Sequence, residues 1–280
     1  MRTIAARETS LVFLLTVAFL LLSAFPALTR AETKKELAWK ILETAIQGDD
    51  TGDRVTAIRV LGLLPSDTKA AGVAGKALDD PKPEVRAAAA AALGQMGSTA
   101  SIPNLKKALS DKETSVALAA AHALDLMHDD FGYEVYYAVL TGERKGGKGL
   151  IAEQVNTFRD PKKLAGLGFS EGIGFVPFAG IGWNAFRAIR KNDSSPVRAA
   201  AASVLANDTD PRSGEALANA TGDKNWLVRV AALEALAKRK DPSLLSRIET
   251  SMSDSRKEVR YTAAAVVLRL NAVQEARDRK

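Results

Sequence analysis

The sequence predicts an all-α fold, a solenoid of stacked helical hairpins interrupted by a glycine-rich apolar insertion. Three observations carry that expectation. A 31-residue period recurs along the chain, separating Val85 from Val116, Val197 from Val228, and Val228 from Val259. Within each copy the apolar residues return at three and four positions, which is the helical period. Between Val116 and Val197 the spacing is 81 residues, so 50 residues have no place in the repeat.

Residues 1–31 read as an export signal. Arg2 and Arg7 supply the positive start, "LVFLLTVAFLLLSAFPAL" supplies the apolar core, and Thr29 and Ala31 occupy the small positions of a cleavage site. An uncleaved anchor is the rival reading, since Leu11 to Leu28 is just long enough to span a bilayer. Ser23 and Pro26 interrupt that run and favour cleavage. The expected location is therefore outside the cytoplasm, periplasmic or secreted, in a bacterium. The signal holds three arginines and one glutamate of the 39 basic and 33 acidic residues, leaving a mature net charge of +4. That balance is too mild for a nucleic-acid partner. The chain has no cysteine, which excludes disulfides, thiolate zinc sites and cysteine nucleophiles.

The first repeat block is expected over residues 32–142 and the second over 192–280. "DPKPEVRAAAAAALGQMGSTASIPNLKKALSD" from Asp80 and "DKNWLVRVAALEALAKRKDPSLLSRIETSMSD" from Asp223 follow one plan. Further copies start at Asn192 ("NDSSPVRAAAASVL"), Asp254 ("DSRKEVRYTAAAVVLRL") and Asp111 ("DKETSVALAAAHALDLM"), with a degenerate one from Asp53. In each, a polar turn precedes a helix of small apolar residues, and a second amphipathic helix follows. Alanine-rich helices approach one another closely, so such units stack.

The D-x4-V-R-x-A-A core and the A-L-G-x-M-G…A-x-I-P-x-L run at Asp80–Asp111 resemble the short HEAT-type repeat of the lyase-like HEAT proteins. The resemblance covers roughly residues 50–142 and 192–272 and implies a HEAT-type superhelix. Lyase-like HEAT proteins attach or detach bilins, a role to which nothing here beyond the repeats points. HEAT-like hydroxylases bind iron through adjacent His-Glu pairs, and this chain has none: Ala follows His122 and Asp follows His128.

Asp80, Asp111, Asp223 and Asp254 stand just ahead of helix starts, where a carboxylate can accept from free backbone N–H groups. Arg86, Arg198, Arg229 and Arg260 fall in the first turn, the unfavourable end of the helix dipole for a cation. Repetition of a disfavoured charge implies a standing partner. A structural Asp–Arg ladder is expected along the stack; a ligand-binding row of arginines is the alternative.

Residues 143–191 form the expected insertion. It opens on "GERKGGKG", which departs from a phosphate-binding loop because Gly149 stands where a Ser or Thr should hold magnesium. Its nine basic and four acidic residues concentrate positive charge around the apolar "GIGFVPFAGIG". Three readings of Ile173, Phe175, Phe178, Ile181 and Trp183, with Arg187 beside them, stay open. They pack back on the solenoid, dock in a partner's groove, or enter an anionic membrane surface. No catalytic, cofactor or metal site is expected: the two histidines lie on different faces of one helical segment, and the paired carboxylates fall in turns. The expected function is a non-enzymatic exported scaffold, binding a protein partner through its concave face and insertion. A peripheral membrane adaptor is the alternative, and a lyase-like enzyme the remotest one.

Overall fold

In the computed structural model, residues 32–132 and 194–280 are described, and they are helical throughout with no strand among them. The signal expected at 1–31 and the insertion expected at 143–191 lie outside the described residues. Helices α1 (Lys34–Gln47), α2 (Thr51–Val60), α3 (Thr68–Ala77), α4 (Pro83–Met96), α5 (Ile102–Ala108) and α6 (Thr114–Leu126) precede the interruption. After it come α7 (Ser195–Leu205), α8 (Pro211–Ala220), α9 (Trp226–Arg239), α10 (Leu245–Ile248) and α11 (Lys257–Asp278). Among the described residues, no helix is long and apolar enough to cross a membrane.

Local chemistry sets the boundaries. Asp50 and Asp67 accept from the N–H of the third residue on, at 2.7 and 2.9 Å, and so start α2 and α3. Pro83 starts α4 with a fixed φ and no wasted donor. Gly97 ends α4 at φ 65°, a left-handed turn that costs glycine little.

Small residues set the spacing of the stack. Ala87 to Ala92 run unbroken through α4, and all six are buried. Gly94 lies so near α6 that a Cβ placed there would stand 2.6 Å from Cα of Ala123. The helices thus meet almost backbone to backbone. Each unit alone leaves its alanine face bare, and stacking buries the faces in one shared core.

The units do not stack simply in chain order. Helix α11 packs on α9 on one side and on α1 and α2 on the other, so the last hairpin sits against the first. The junction is polar. Where the neighbouring units carry a buried valine one position before the ladder arginine, α2 carries Asp53, 2.7 Å from Lys257. Lys35–Glu275 at 2.7 Å and Lys34–Glu249 at 3.4 Å bind α1 to the same C-terminal hairpin region. The spatial order of the inner helices is therefore α7, α9, α11, α2, α4, α6.

Among the described inner helices, α7 and α6, which flank the interruption in sequence, stand at the two ends of this order. Val197 and Val204 of α7 are 54% and 73% exposed. Val85, Val116, Val228 and Val259, the register equivalents of Val197, are buried because a preceding inner helix covers each of them.

Candidate functional site

Charged side chains of the inner helices fall into two sets, and the first is a ladder. Arg86 pairs with Asp111 at 2.7 Å, and Arg229 with Asp254 at 2.8 Å. Arg198 pairs with Asp223. Each arginine thus reaches the aspartate of the following unit. Its Nη1, in Arg86 and Arg229, donates back to the carbonyls six and five residues earlier, Asp80 and Pro81 or Asp223 and Lys224. Each aspartate also accepts from the N–H two residues on, at Lys82, Glu113, Asn225 and Arg256. One guanidinium therefore ties two inter-helix turns together. The bonds are charge-assisted and sheltered, and they raise the Arg86 guanidinium above its ordinary range. Burial pushes Asp111 upward, but Arg86 and the Glu113 N–H outweigh it and hold the carboxyl low.

Two rungs differ from the sequence expectation. Arg54 forms an additional one, 3.2 Å from Asp80. Arg260 forms none with a carboxylate among the described residues: its Nη1 donates to the carbonyls of Asp254 and Ser255, and its guanidinium lies 5.4 Å from the Tyr261 ring. The reason is the junction. The unit stacked beyond α11 is the N-terminal one, where Arg54 donates to the carbonyls of Gly48 and Asp49, so glycine fills the ladder position.

The second set lies on the opposite edge of the same helices. Arg59 stands five residues after Arg54, and Glu234 five after Arg229, so both hold one register position. Helix α11 lies between their helices, yet each side chain lies in the other's field. Ala265, the α11 residue at that position, is buried and too short to separate them. One turn further, Lys238 of α9 and Arg269 of α11 share the next register position.

In this crease Glu234 and Arg269 are half-buried, and Arg59 and Lys238 are exposed. Burial pushes the Glu234 carboxyl up to about 7, against the opposing pull of Lys238 and Arg59. Burial likewise lowers Arg59, which Glu234 partly restores, and lowers Arg269. Among the described residues, none of Arg59, Glu234 and Arg269 makes a side-chain hydrogen bond or an ion pair within 4.0 Å. The Arg59 and Arg269 guanidinium groups thus keep donors that no carboxylate or carbonyl among the described residues takes up.

A family model for HEAT repeats matches residues 40–125 and 185–269, more than half the chain. The chain belongs to the HEAT-repeat family. No curated protein sequence matches it significantly. Among solved structures it is similar to human deoxyhypusine hydroxylase in complex with glycerol, at 21% identity over 85% of each chain and a TM-score of 0.31. It is also similar to the complex of CpcE and CpcF of phycocyanin lyase from Nostoc sp., at 22% identity over 88% of this chain and 98% of that one, with a TM-score of 0.33.

Ile173, Phe175, Phe178, Ile181, Trp183 and Arg187 lie outside the described residues. His128 ends α6 with φ 56°, and the neighbouring Asp129 pairs with Lys106 at 3.0 Å. His122 takes the Glu234 register position on α6, two helices beyond α2 in the stack. Among the described residues no group of three or more His, Asp or Glu side chains is placed to hold a metal ion.

Sequence reasoning missed Arg59, Glu234, Lys238 and Arg269. Their signal was positional: five and nine residues after the ladder arginine. It becomes a cluster only when the first and last hairpins are known to touch.

Proposed function

We propose that this HEAT-repeat protein is a non-enzymatic exported scaffold that binds a protein partner on its concave face. The observation behind this reading is that Arg59 and Arg269, on the edge opposite the ladder, make no side-chain hydrogen bond or ion pair among the described residues, although their surroundings disfavour both charges. Structural charges in a stack are normally consumed by structural partners, as the ladder's are. Charges that pay desolvation without compensation are instead what a recognition surface requires. A second reading attaches the protein to an anionic membrane through Gly172–Gly182, supported by the nine basic against four acidic residues between 143 and 191.

Site-specific photocrosslinking tests the first reading. A photoreactive residue at Ser203 or Gln95, which sit on the crease edge of α7 and α4, is expected to capture one specific protein in the native envelope. The same probe at Lys76, on the outer helix α3, is expected to capture none. Equal labelling from both positions would overturn the concave-face assignment. Flotation with anionic vesicles tests the second, with salt-sensitive binding lost on Phe175→Ser and Phe178→Ser as its signature.

A further inference from the structure

We infer that the junction between the first and last hairpins is a binding site for a single carboxylate carried on an apolar group, seated on Arg260 where the ladder lacks its aspartate. This goes beyond the concave-face reading and does not depend on it. Four rungs, at Arg54, Arg86, Arg198 and Arg229, close on the aspartate of the following unit. Arg260 is anchored as they are. Its Nη1 donates to the Asp254 and Ser255 carbonyls at 2.7 and 3.3 Å, as that of Arg229 does to Asp223 and Lys224 at 2.8 and 3.3 Å. Yet among the described residues no carboxylate comes within 4.0 Å of it. The Tyr261 hydroxyl acts on the same guanidinium, but a neutral group leaves its charge uncompensated.

There is space for the missing partner. A cavity of about 460 Å³ is lined by both Gly48 and Arg260, the two halves of the broken rung. That volume falls in the range of small-molecule sites, about 300–1,000 Å³. Gly48 has no side chain with which to fill it. Leu37 and Ile41, one turn apart on the same face of α1, give the cavity an apolar wall, and the buried Tyr261 lines it too.

Charge limits the occupant to one carboxylate. Asp49, Asp50 and Asp53 also line the cavity. Lys257 takes up two of them, 3.5 Å from Asp50 and 2.7 Å from Asp53, and Lys40 stands on the cavity wall. Three cations thus balance three aspartates. A monoanion meets no net repulsion, while each further negative charge would meet the aspartates. A guanidinium fork takes a carboxylate through two parallel bonds, as Arg86 shows by holding both Asp111 oxygens at 2.7 and 2.8 Å. The ligand class is therefore an apolar carboxylic acid, either free or as the C-terminal residue of a polypeptide.

The test is a ligand-observed NMR titration of the full chain with N-acetyl-leucine. N-acetyl-leucinamide, of the same shape without the charge, is the control and is expected to bind at least about tenfold more weakly. Gly48→Asp supplies the missing carboxylate from within the chain. It is expected to abolish binding and to raise the thermal melt by about 2–4 °C. The added Cβ would lie 3.3 Å from the Thr44 carbonyl oxygen, a contact that a small shift relieves, and Asp80 already fills the same register position in the next unit. Should Gly48→Asp fold poorly, Arg260→Lys decides: it keeps the charge but loses the fork, and is expected to weaken binding several-fold. Arg247→Gln, on the outer face, is expected to leave binding unchanged.

A short peptide ending in leucine separates the two sources. Tighter binding than N-acetyl-leucine assigns the site to a polypeptide terminus, and equal or weaker binding assigns it to a free acid. Absence of N-acetyl-leucine binding would overturn the inference, as would binding untouched by both Gly48→Asp and Arg260→Lys. Equal binding of the amide, or tighter binding of inorganic phosphate, would do the same.

Discussion

The two edges of the inner helices treat charge in opposite ways. On the ladder edge, Arg86 is shifted upward and Asp111 downward, so folding favours the ionised pair. In the crease, Arg59 and Arg269 are shifted downward and Glu234 upward, so folding disfavours each of these three charges. The difference is hydrogen bonding, which the ladder groups have and Arg59, Glu234 and Arg269 lack among the described residues. A buried ion with its lone pairs and protons satisfied is structural, and one without them is a cost that a ligand can relieve. The same helices therefore supply the stack's stability on one edge, and on the other the charges on which the proposed recognition rests.

The largest test of that contrast is Arg86→Ala. It strips Asp111 of its partner and frees the Asp80 and Pro81 carbonyls, and is expected to cost about 3 kcal/mol in urea unfolding. A smaller loss than for an exposed pair would break the distinction between the edges.

Glu234→Gln comes next. The folded carboxyl sits near 7 against an ordinary 4.5, so the native state binds the extra proton between those values. Its contribution to stability is complete below about pH 4.5 and is lost as the pH rises through about 7. The glutamine variant is expected to remove that slope and to exceed the parent at pH 8 by about 1–3 kcal/mol. The ladder slopes the other way, since Asp111 is held below 3.8 and its contribution disappears on acidification through that lower range. Unfolding free energy measured from pH 3 to 8 is thus expected to rise and then fall. A flat profile above pH 4.5 would remove Glu234 from the desolvated set.

The junction offers an intermediate effect. Lys257→Ala removes the bridge to Asp53 between the last and first hairpins, and is expected to cost about 0.5–1 kcal/mol because the pair is partly exposed. Hydrogen exchange is expected to quicken at α1 and α11 before α4. The smallest effect belongs to Arg247→Ala, whose partner Glu215 is as open to water as itself; a change below about 0.5 kcal/mol is expected in the same unfolding measurement.

Much of the architecture was legible residue by residue. The period from Val228 to Val259 announced stacked units, and the arginine in each first turn announced a partner, because a cation there is otherwise unfavourable. Which aspartate each arginine would reach was not legible, since both the preceding and following turns were open choices. The failure of Arg260 to find a carboxylate was hidden for the same reason. It depends on Gly48, near the other end of the chain, lying where other units have Asp80, Asp111, Asp223 and Asp254.

By itself the sequence determined that the chain forms helices of a given length, which faces of those helices are apolar, and that units of one register stack. These follow from local periodicity and from the size of alanine, and need no knowledge of distant contacts. Only the tertiary structure decided that the first and last hairpins meet, through Asp53 and Lys257, and that α6 and α7 become the ends of the order. The crease was decided with them. Arg59 and Glu234 are unremarkable helix residues until α11, packed between their helices, brings each into the other's field, because that meeting belongs to the packing of several helices and is written in no single one.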